Sequence, residues 1–481
     1  MCGIIGIYSF NKQTNVFPRL VKGLMDLQNR GQLSAGITTY DPERKRILQT
    51  YKENGKVDEV FRINHKYKLK SLTSSYSGNI GIGHTRYATS GDDSDTLAQP
   101  FERPHGRLSK WFSIAYNGNL SNYSQLKTEL EQVGYNMTYD SDTEIIMHYL
   151  SRDMQKNSPQ DQIDFTKLLQ GLSNEFDGAW NLCFVNAEGK FFACRDPNGF
   201  HPLCYGVGED FVIVASESSV INNLHLKAYD MSPGTVLTIE PNKNTFNIVN
   251  FARAKKSFCF FEYIYFANTS SIFDNVSVYE TREKIGEQLA VEETAIVPDA
   301  DTIVVPVPDT SYVAASQYAA KLNLPFVAGI LKNHQVGRTF ITGHDRIEKI
   351  RMKFSFIREK LKNKKVILID DSIVRGTTLK GLVKVLKDWC KVKEVHVRIG
   401  CPPLVSPCFY GIDFPTLTEL YAGKNLPNHE DFDAESLKYI TLAGLYNSIS
   451  ASSNDLCTSC ITTNYPTTNG KLRYKEVLNA Q

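Results

Sequence analysis

The chain contains no apolar run approaching the ~20 residues needed to cross a bilayer. Its opening, Met1-Cys2-Gly3-Ile4-Ile5-Gly6, has neither the charged region nor the small-residue cleavage site of a secretory signal, so a cytoplasmic protein without a membrane partner is expected. Charge of one sign is lacking too: 54 Lys and Arg stand against 52 Asp and Glu, and the net charge of +2 argues against nucleic acid as a partner. Ten cysteines in 481 residues do not make a disulfide scaffold. In a reducing compartment they are core residues, nucleophiles or metal ligands.

What is present is enough for two domains, since a chain of this length exceeds what one hydrophobic core supports. The most informative stretch runs from Val366 to Thr378. Val366-Ile367-Leu368-Ile369 has the continuous apolar character of a buried parallel strand, Asp370 and Asp371 follow, and Ser372 to Thr378 form a small-residue loop. Leu379, Leu382, Val383 and Leu386 then mark one helical face. Such a loop at a helix start converges backbone N–H groups on a phosphate, and paired carboxylates at a strand end suit the hydroxyls of a ribose. The plainer alternative is a strand that ends in an Asp-rich helix cap. A second buried strand, Thr302 to Val307, also ends in a polar loop, Asp309-Thr310-Ser311.

Cys2 is informative by position. Removal of Met1 exposes an α-amino group with a pKa of roughly 8, a usable base for the thiol of the same residue. Short alternating runs, such as Phe211 to Ser216, separated by turns such as Arg195-Asp196-Pro197-Asn198-Gly199, suggest stacked antiparallel sheets. Helical periodicity around Ile145, Ile146 and Tyr149 and around Leu168 to Leu172 adds covering helices. The Asn-rich, basic stretch from Lys243 to Lys256 is the expected domain boundary, giving domains over 2–245 and 256–481.

Several segments follow Cys2 in order: Gln28-Asn29-Arg30-Gly31-Gln32, Gly83-His84-Thr85-Arg86-Tyr87, Ala98-Gln99-Pro100-Phe101, Tyr116-Asn117-Gly118-Asn119 and Ser141-Asp142-Thr143-Glu144. Together they resemble the class II glutamine amidotransferases, which are N-terminal-nucleophile hydrolases with an αββα sandwich. The resemblance implies Cys2 as nucleophile, Asn117 and the Gly118 N–H as oxyanion donors, Arg86 for the glutamine carboxylate and Asp142 for its ammonium. Taken singly, Arg86 also reads as a surface ion-pair residue, Asn117-Gly118 as a hairpin turn and Asp142 as a helix cap. Asn29, Leu33 and Tyr116 depart from the usual pattern.

The stretch at 366–378 resembles the phosphoribosyl-diphosphate (PRPP) signature of type I phosphoribosyltransferases, a parallel-sheet fold. Its Ser-Ile-Val-Arg-Gly string resembles the amidophosphoribosyltransferase branch. The resemblance implies PRPP contacts from Asp309, Thr310, Ser311, Asp370, Asp371, Ser372, Arg375, Gly376, Thr377 and Thr378, with Mg²⁺ near Asp309, Asp370 and Asp371. Lys332 and Arg338 belong to a closing loop that departs from the pattern at His334-Gln335 and from Thr342 to Lys349, as do Asn268-Thr269-Ser270 after the interdomain string Phe261 to Ala267. Cys259, Cys408, Cys457 and Cys460 match the ligands of a [4Fe–4S] cluster in one subclass, with Zn²⁺ the alternative for four thiolates.

The implied activity is glutamine-dependent synthesis of 5-phosphoribosylamine from PRPP, the first step of de novo purine synthesis, by a homo-oligomer inhibited by purine nucleotides. Two rivals remain at this level: a paralogous amidotransferase acting on another phosphosugar, and a PRPP-binding regulator without catalysis.

Overall fold

A computed structural model describes residues 1–87, 97–156, 163–241, 243–333, 346–414, 416–424 and 427–479. The amino-terminal half holds two antiparallel sheets. The first has seven strands in the spatial order Tyr229–Asp230, Cys204–Val207, Phe211–Ala215, Gly3–Ser9, Ile80–Arg86, Ser34–Tyr40 and Leu48–Asn54. The second has six, in the order Asn247–Asn250, Thr235–Ile239, Phe191–Cys194, Gly178–Asn186, Phe112–Leu120 and Phe101–Arg103.

The strand Gly3–Ser9 is buried along its whole length because both of its faces are covered. Ile5 and Ile7 share a core with Phe17, Leu20 and Leu24 of the helix Phe17–Asp26, while Ile4 and Tyr8 meet Cys183, Val185 and Phe191 of the second sheet. The outer face of the second sheet carries the helices Tyr123–Gln132, Asp142–Lys156 and Phe165–Glu175 over Trp180, Leu182 and Phe184. This is the helix–sheet–sheet–helix arrangement that the alternating strands imply.

Asn247–Asn250 lies inside the stretch expected to separate the domains, yet it pairs with Thr235–Thr238 as an edge strand. All four of its residues are exposed, so no apolar alternation marked it in the sequence.

The carboxyl-terminal half is built on a four-stranded parallel sheet in the order Thr302–Pro306, Lys365–Asp370, Glu394–Ile399 and Ser436–Tyr439. Val366 to Ile369 are fully buried, as a strand covered on both faces requires. The helices Val278–Val291 and Tyr312–Lys321 pack closely through Gly286, where an added Cβ would stand 2.1 Å from the carbonyl oxygen of Ala314. Apolar burial is continuous between the halves: Met1, Ile5 and Val220 share one core with Phe258, Phe261, Ile285 and Val366. Among the described residues no helix is long and apolar enough to cross a membrane.

Replacing Gly286 by Ala should force these two helices apart at a cost of about 1–3 kcal/mol, seen as a lowered midpoint of thermal unfolding. An unchanged midpoint would mean that this contact yields without strain.

Candidate functional site

Antiparallel pairing of Gly3 with Thr85 places Cys2 across the ladder from Arg86. The backbone N of Cys2 donates to Oδ1 of Asn117 at 3.1 Å, joining the first sheet to the second. Asn117 is buried, and among the described residues its Nδ2 has no hydrogen-bond partner, so the amide retains a donor beside Cys2. Asn117 and Gly118 lie within the strand Phe112–Leu120 and not in a hairpin turn. Gly118 has φ +156°, and a Cβ there would stand 2.0 Å from the Ala179 carbonyl oxygen. Only glycine fits that approach.

Asp142 opens the helix Asp142–Lys156, but its carboxylate points back to the sheet. It accepts from the Leu120 N–H at 2.8 Å and the Tyr116 hydroxyl at 3.3 Å. Burial pushes its carboxyl up to about 6, with those two hydrogen bonds opposing the rise. Tyr116, one of the departures, thus supports Asp142. His84 is held neutral because burial, aided by the Arg86 charge, lowers it to about 3. Its ring nitrogen Nε2 lies 3.1 Å from the Tyr116 carbonyl. Met1 is buried, and burial lowers its amino group to about 6.

Behind Cys2 stands a charge network that the motif reading left unassigned. Arg30 is fully buried; its Nε donates to the Cys2 carbonyl at 3.1 Å, its Nη1 to Glu217 at 2.9 Å and its Nη2 to Glu262 at 2.7 Å. Asn29, a second departure, donates to Glu217 at 2.8 Å and to the Phe266 carbonyl at 2.9 Å. Glu262 sits among Phe260, Phe261, Tyr263 and Ile264, all buried. A lone carboxylate in an aromatic run signals a buried charge that needs a partner, and that cue was available in the sequence.

The second site lies at the carboxyl edge of the parallel sheet, where ligands of open α/β folds bind. Thr302–Pro306 pairs in parallel with Lys365–Asp370, and the Val307 N–H donates to the Ile369 carbonyl at 2.8 Å. The loops 307–311 and 370–378 therefore leave the sheet side by side. Thr310 donates its hydroxyl to Asp371, and so does Ser372 at 2.6 Å. Burial, followed by the neighbouring Asp371 charge, holds the Asp370 carboxyl well above the usual range, with Ser311 opposing part of the rise. Burial raises Asp371 as well, against the Arg282 charge.

Lys332 pairs with Asp309 at 2.8 Å, and Arg375 lies 3.7 Å from Glu419. Gly376, at φ +70°, immediately precedes the helix Thr377–Asp388, whose first residues Thr377 and Thr378 are exposed. Arg338 and the rest of the closing loop from 334 to 345 lie outside the described residues.

Four cysteines gather where the carboxyl-terminal segment meets the first domain. Phe258–Cys259 and Leu456–Cys457 pair in parallel, with Cys259 opposite Cys457. Cys460 interacts electrostatically with Cys408, Cys259, Cys401 and Cys457, although burial is what chiefly raises its thiol. Burial likewise pushes Cys408 up to about 12, and the Tyr410 N–H donates to its sulfur at 3.4 Å. Among the described residues no group of three or more His, Cys, Asp or Glu is disposed to hold a metal ion. Cys183, Cys194, Cys204, Cys390 and Cys401 are fully buried core residues.

The fold and the two sites define a glutamine amidotransferase domain joined to a phosphoribosyltransferase domain. Residues 84–223 match the glutamine amidotransferase domain model, and residues 277–401 match the phosphoribosyl transferase domain model. The amidophosphoribosyltransferase of Methanothermobacter thermautotrophicus is 37% identical over 97% of this chain and 94% of its own length. The human amidophosphoribosyltransferase is 35% identical over 93% of this chain and 89% of its own. The solved structure of the glutamine PRPP amidotransferase from B. subtilis, complexed with ADP and GMP, superposes with a TM-score of 0.83 at 31% identity, covering 97% of this chain and 98% of that one. This chain belongs to the amidophosphoribosyltransferase family and is an enzyme of the first step of purine biosynthesis.

Proposed function

We propose that the two sites act in series on glutamine and PRPP. The carrying observation is the Cys2–Asn117 hydrogen bond together with the unspent, buried Nδ2 donor of Asn117. With Met1 removed, the Cys2 α-amine takes the thiol proton and the sulfur attacks the glutamine side-chain amide. Asn117 Nδ2 and the Gly118 N–H then donate to the developing oxyanion, while Arg86 and Asp142 hold the α-carboxylate and α-ammonium. Ammonia freed into water near neutral pH would become protonated and lose its nucleophilicity, so it passes inside the protein to C1 of PRPP. Met1 supports this reading: it is buried, and its amino group senses Glu262 and Asp413 of the second domain. Its removal leaves interior space on that side of Cys2.

At the acceptor site Asp370 and Asp371 hold the ribose hydroxyls, the loop 372–378 holds the 5′-phosphate, and the amides of Asp309 to Ser311 face the diphosphate. Lys332 provides a further anion contact, the role the resemblance also gives to Arg338, which lies outside the described residues. Asp309, Asp370 and Asp371 would hold a Mg²⁺ ion, which would supply charge neutralisation for the departing diphosphate; the raised carboxyls of Asp370 and Asp371 at one strand end support this reading.

Four thiolates, Cys259, Cys408, Cys457 and Cys460, would be the ligands of a structural [4Fe–4S] cluster in this reading, which the resemblance to the iron-sulfur subclass supports. Purine nucleotide inhibition and a homo-oligomeric state belong to the same reading; the complex of the B. subtilis enzyme with ADP and GMP supports the first.

Cys2→Ala should abolish glutamine use while PRPP turnover with free ammonia at high pH survives. If neither glutamine nor ammonia is consumed with PRPP by the unaltered protein, another ribosyl donor or a binding role takes precedence. In the Cys2→Ala protein the Kd for glutamine, measured by calorimetry, should be flat above about pH 6 and weaken about tenfold per unit below it, as Asp142 protonates and the ammonium loses its partner. Asp142→Asn should bind weakly with no such dependence, and an invariant Kd from pH 5 to 8 in the parent would remove Asp142 from this role. Protein purified without oxygen should be brown with about four irons per chain, a colour lost in Cys460→Ser. Colourless protein with stoichiometric zinc would replace the iron reading.

A further inference from the structure

Arg30 gives the Cys2 carbonyl an N–H from its Nε, and the direction of that N–H is fixed by the plane of the guanidinium. Two carboxylates set the plane. Glu262 takes bonds from both terminal nitrogens, at 3.1 Å from Nη1 and 2.7 Å from Nη2, and Glu217 takes one from Nη1 at 2.9 Å. Neither carboxylate is free to turn. Nδ1 of His201 lies 3.3 Å from Glu262, and His201 Nε2 is 2.6 Å from the Tyr410 carbonyl, which fixes the ring. Glu217 also accepts from the Asn268 N–H and the Ser271 hydroxyl, each at 2.8 Å.

Glu262, Asn268 and Ser271 all belong to the segment that links the two domains. From its other side that segment is held by Arg282, which donates to the carbonyls of Tyr263 at 3.0 Å and Ala267 at 2.9 Å and to the Thr269 hydroxyl at 2.9 Å. The Arg30, Glu217 and Glu262 side chains have no solvent exposure, so water cannot substitute for a lost bond.

We propose that Glu262, a residue of the interdomain segment, is a positioning residue for the glutamine reaction: through Arg30 it holds the Cys2 main chain, and so the attacking thiol, against Asn117 and Gly118. The proposal rests on Cys2 being the nucleophile. Glu262 touches no substrate. Its action is to keep the Arg30 Nε–H on the Cys2 carbonyl while the Cys2 nitrogen engages Asn117, so the nucleophilic residue is held at both ends of its backbone.

The test is covalent trapping of Cys2 by a diazoketone analogue of glutamine, followed by intact mass on full-length protein whose Met1 has been removed. Glu262→Gln should slow trapping at saturating analogue about 10- to 100-fold, the range expected when a reacting atom is displaced by about an ångström. The half-saturating concentration should move less than threefold, and ammonia-dependent PRPP turnover should stay within twofold. Arg30→Lys should show a similar loss, and combining the two should cost little more than the worse single change, because both act on one bond.

Unchanged trapping, effects of the two substitutions that multiply, or a joint fall of trapping, ammonia-dependent turnover and thermal midpoint would each overturn the proposal in favour of a structural ion pair. If Glu262→Gln fails to fold, Glu262→Asp takes its place under the same criteria. Absence of PRPP turnover in the unaltered protein would defeat the assigned activity and leave the trapping result readable on its own.

Discussion

A guanidinium cut off from water has to spend its donors on the protein, and Arg30 spends them on three parts of the chain at once. The Cys2 carbonyl, the Glu217 carboxylate and the Glu262 carboxylate come from the residue before the first strand, from the turn after the strand Phe211–Ala215 and from the interdomain segment. Against the opposing push of burial, Arg30 and His201 hold the Glu262 carboxyl down to about 2, which favours the ionised pair near neutral pH. The cost of hiding these charges is met only if all of them stay together. The junction between the domains is therefore fixed by electrostatics, and the apolar contacts around Phe261 and Phe266 close over it.

That constraint explains how two unlike domains share one reaction. The amidotransferase side brings the Cys2 nitrogen onto the Asn117 side chain and the buried Asp142 carboxylate, at the start of a helix, back onto the second sheet; the phosphoribosyltransferase side offers a pair of raised carboxyls at the edge of a parallel sheet. Between them the segment 262–271 is gripped by Arg30 on one side and Arg282 on the other. The carboxyl-terminal part of the chain adds a second clasp. Asn119 donates to the Phe409 carbonyl at 3.0 Å, Asn469 donates to Asp177, and the Arg473 charge is felt by Asp142. The strand that carries Asn117 and Gly118 is thus tied to the second domain close to the cysteine cluster.

Four of the positions that depart from the usual pattern have partners here. Asn29 bridges Glu217 and the Phe266 carbonyl, Tyr116 supports Asp142, Asn268 caps Glu217 through its backbone N–H, and Thr269 accepts from Arg282. Each is a neutral group that satisfies a neighbouring charge through hydrogen bonds, which is why the surrounding network tolerates it.

Residue type and spacing alone determined the strand, carboxylate and loop order at 366–378 and the stacked-sheet character of the first half; the ordered segments that carry Cys2, Arg86, Asn117 and Asp142 were legible only as a resemblance. Those features are local, or follow from alternation along a strand, so they can be read one segment at a time. Arg30, Glu217, His201 and Glu262 could not be assembled that way, although Arg30 and Glu262 stood in plain motifs. They are separated by up to 232 residues, and whether a buried charge is paired depends on which strands are neighbours. Only the tertiary structure decided that the carboxylate bracing the first residues of the chain comes from the segment leading into the other domain.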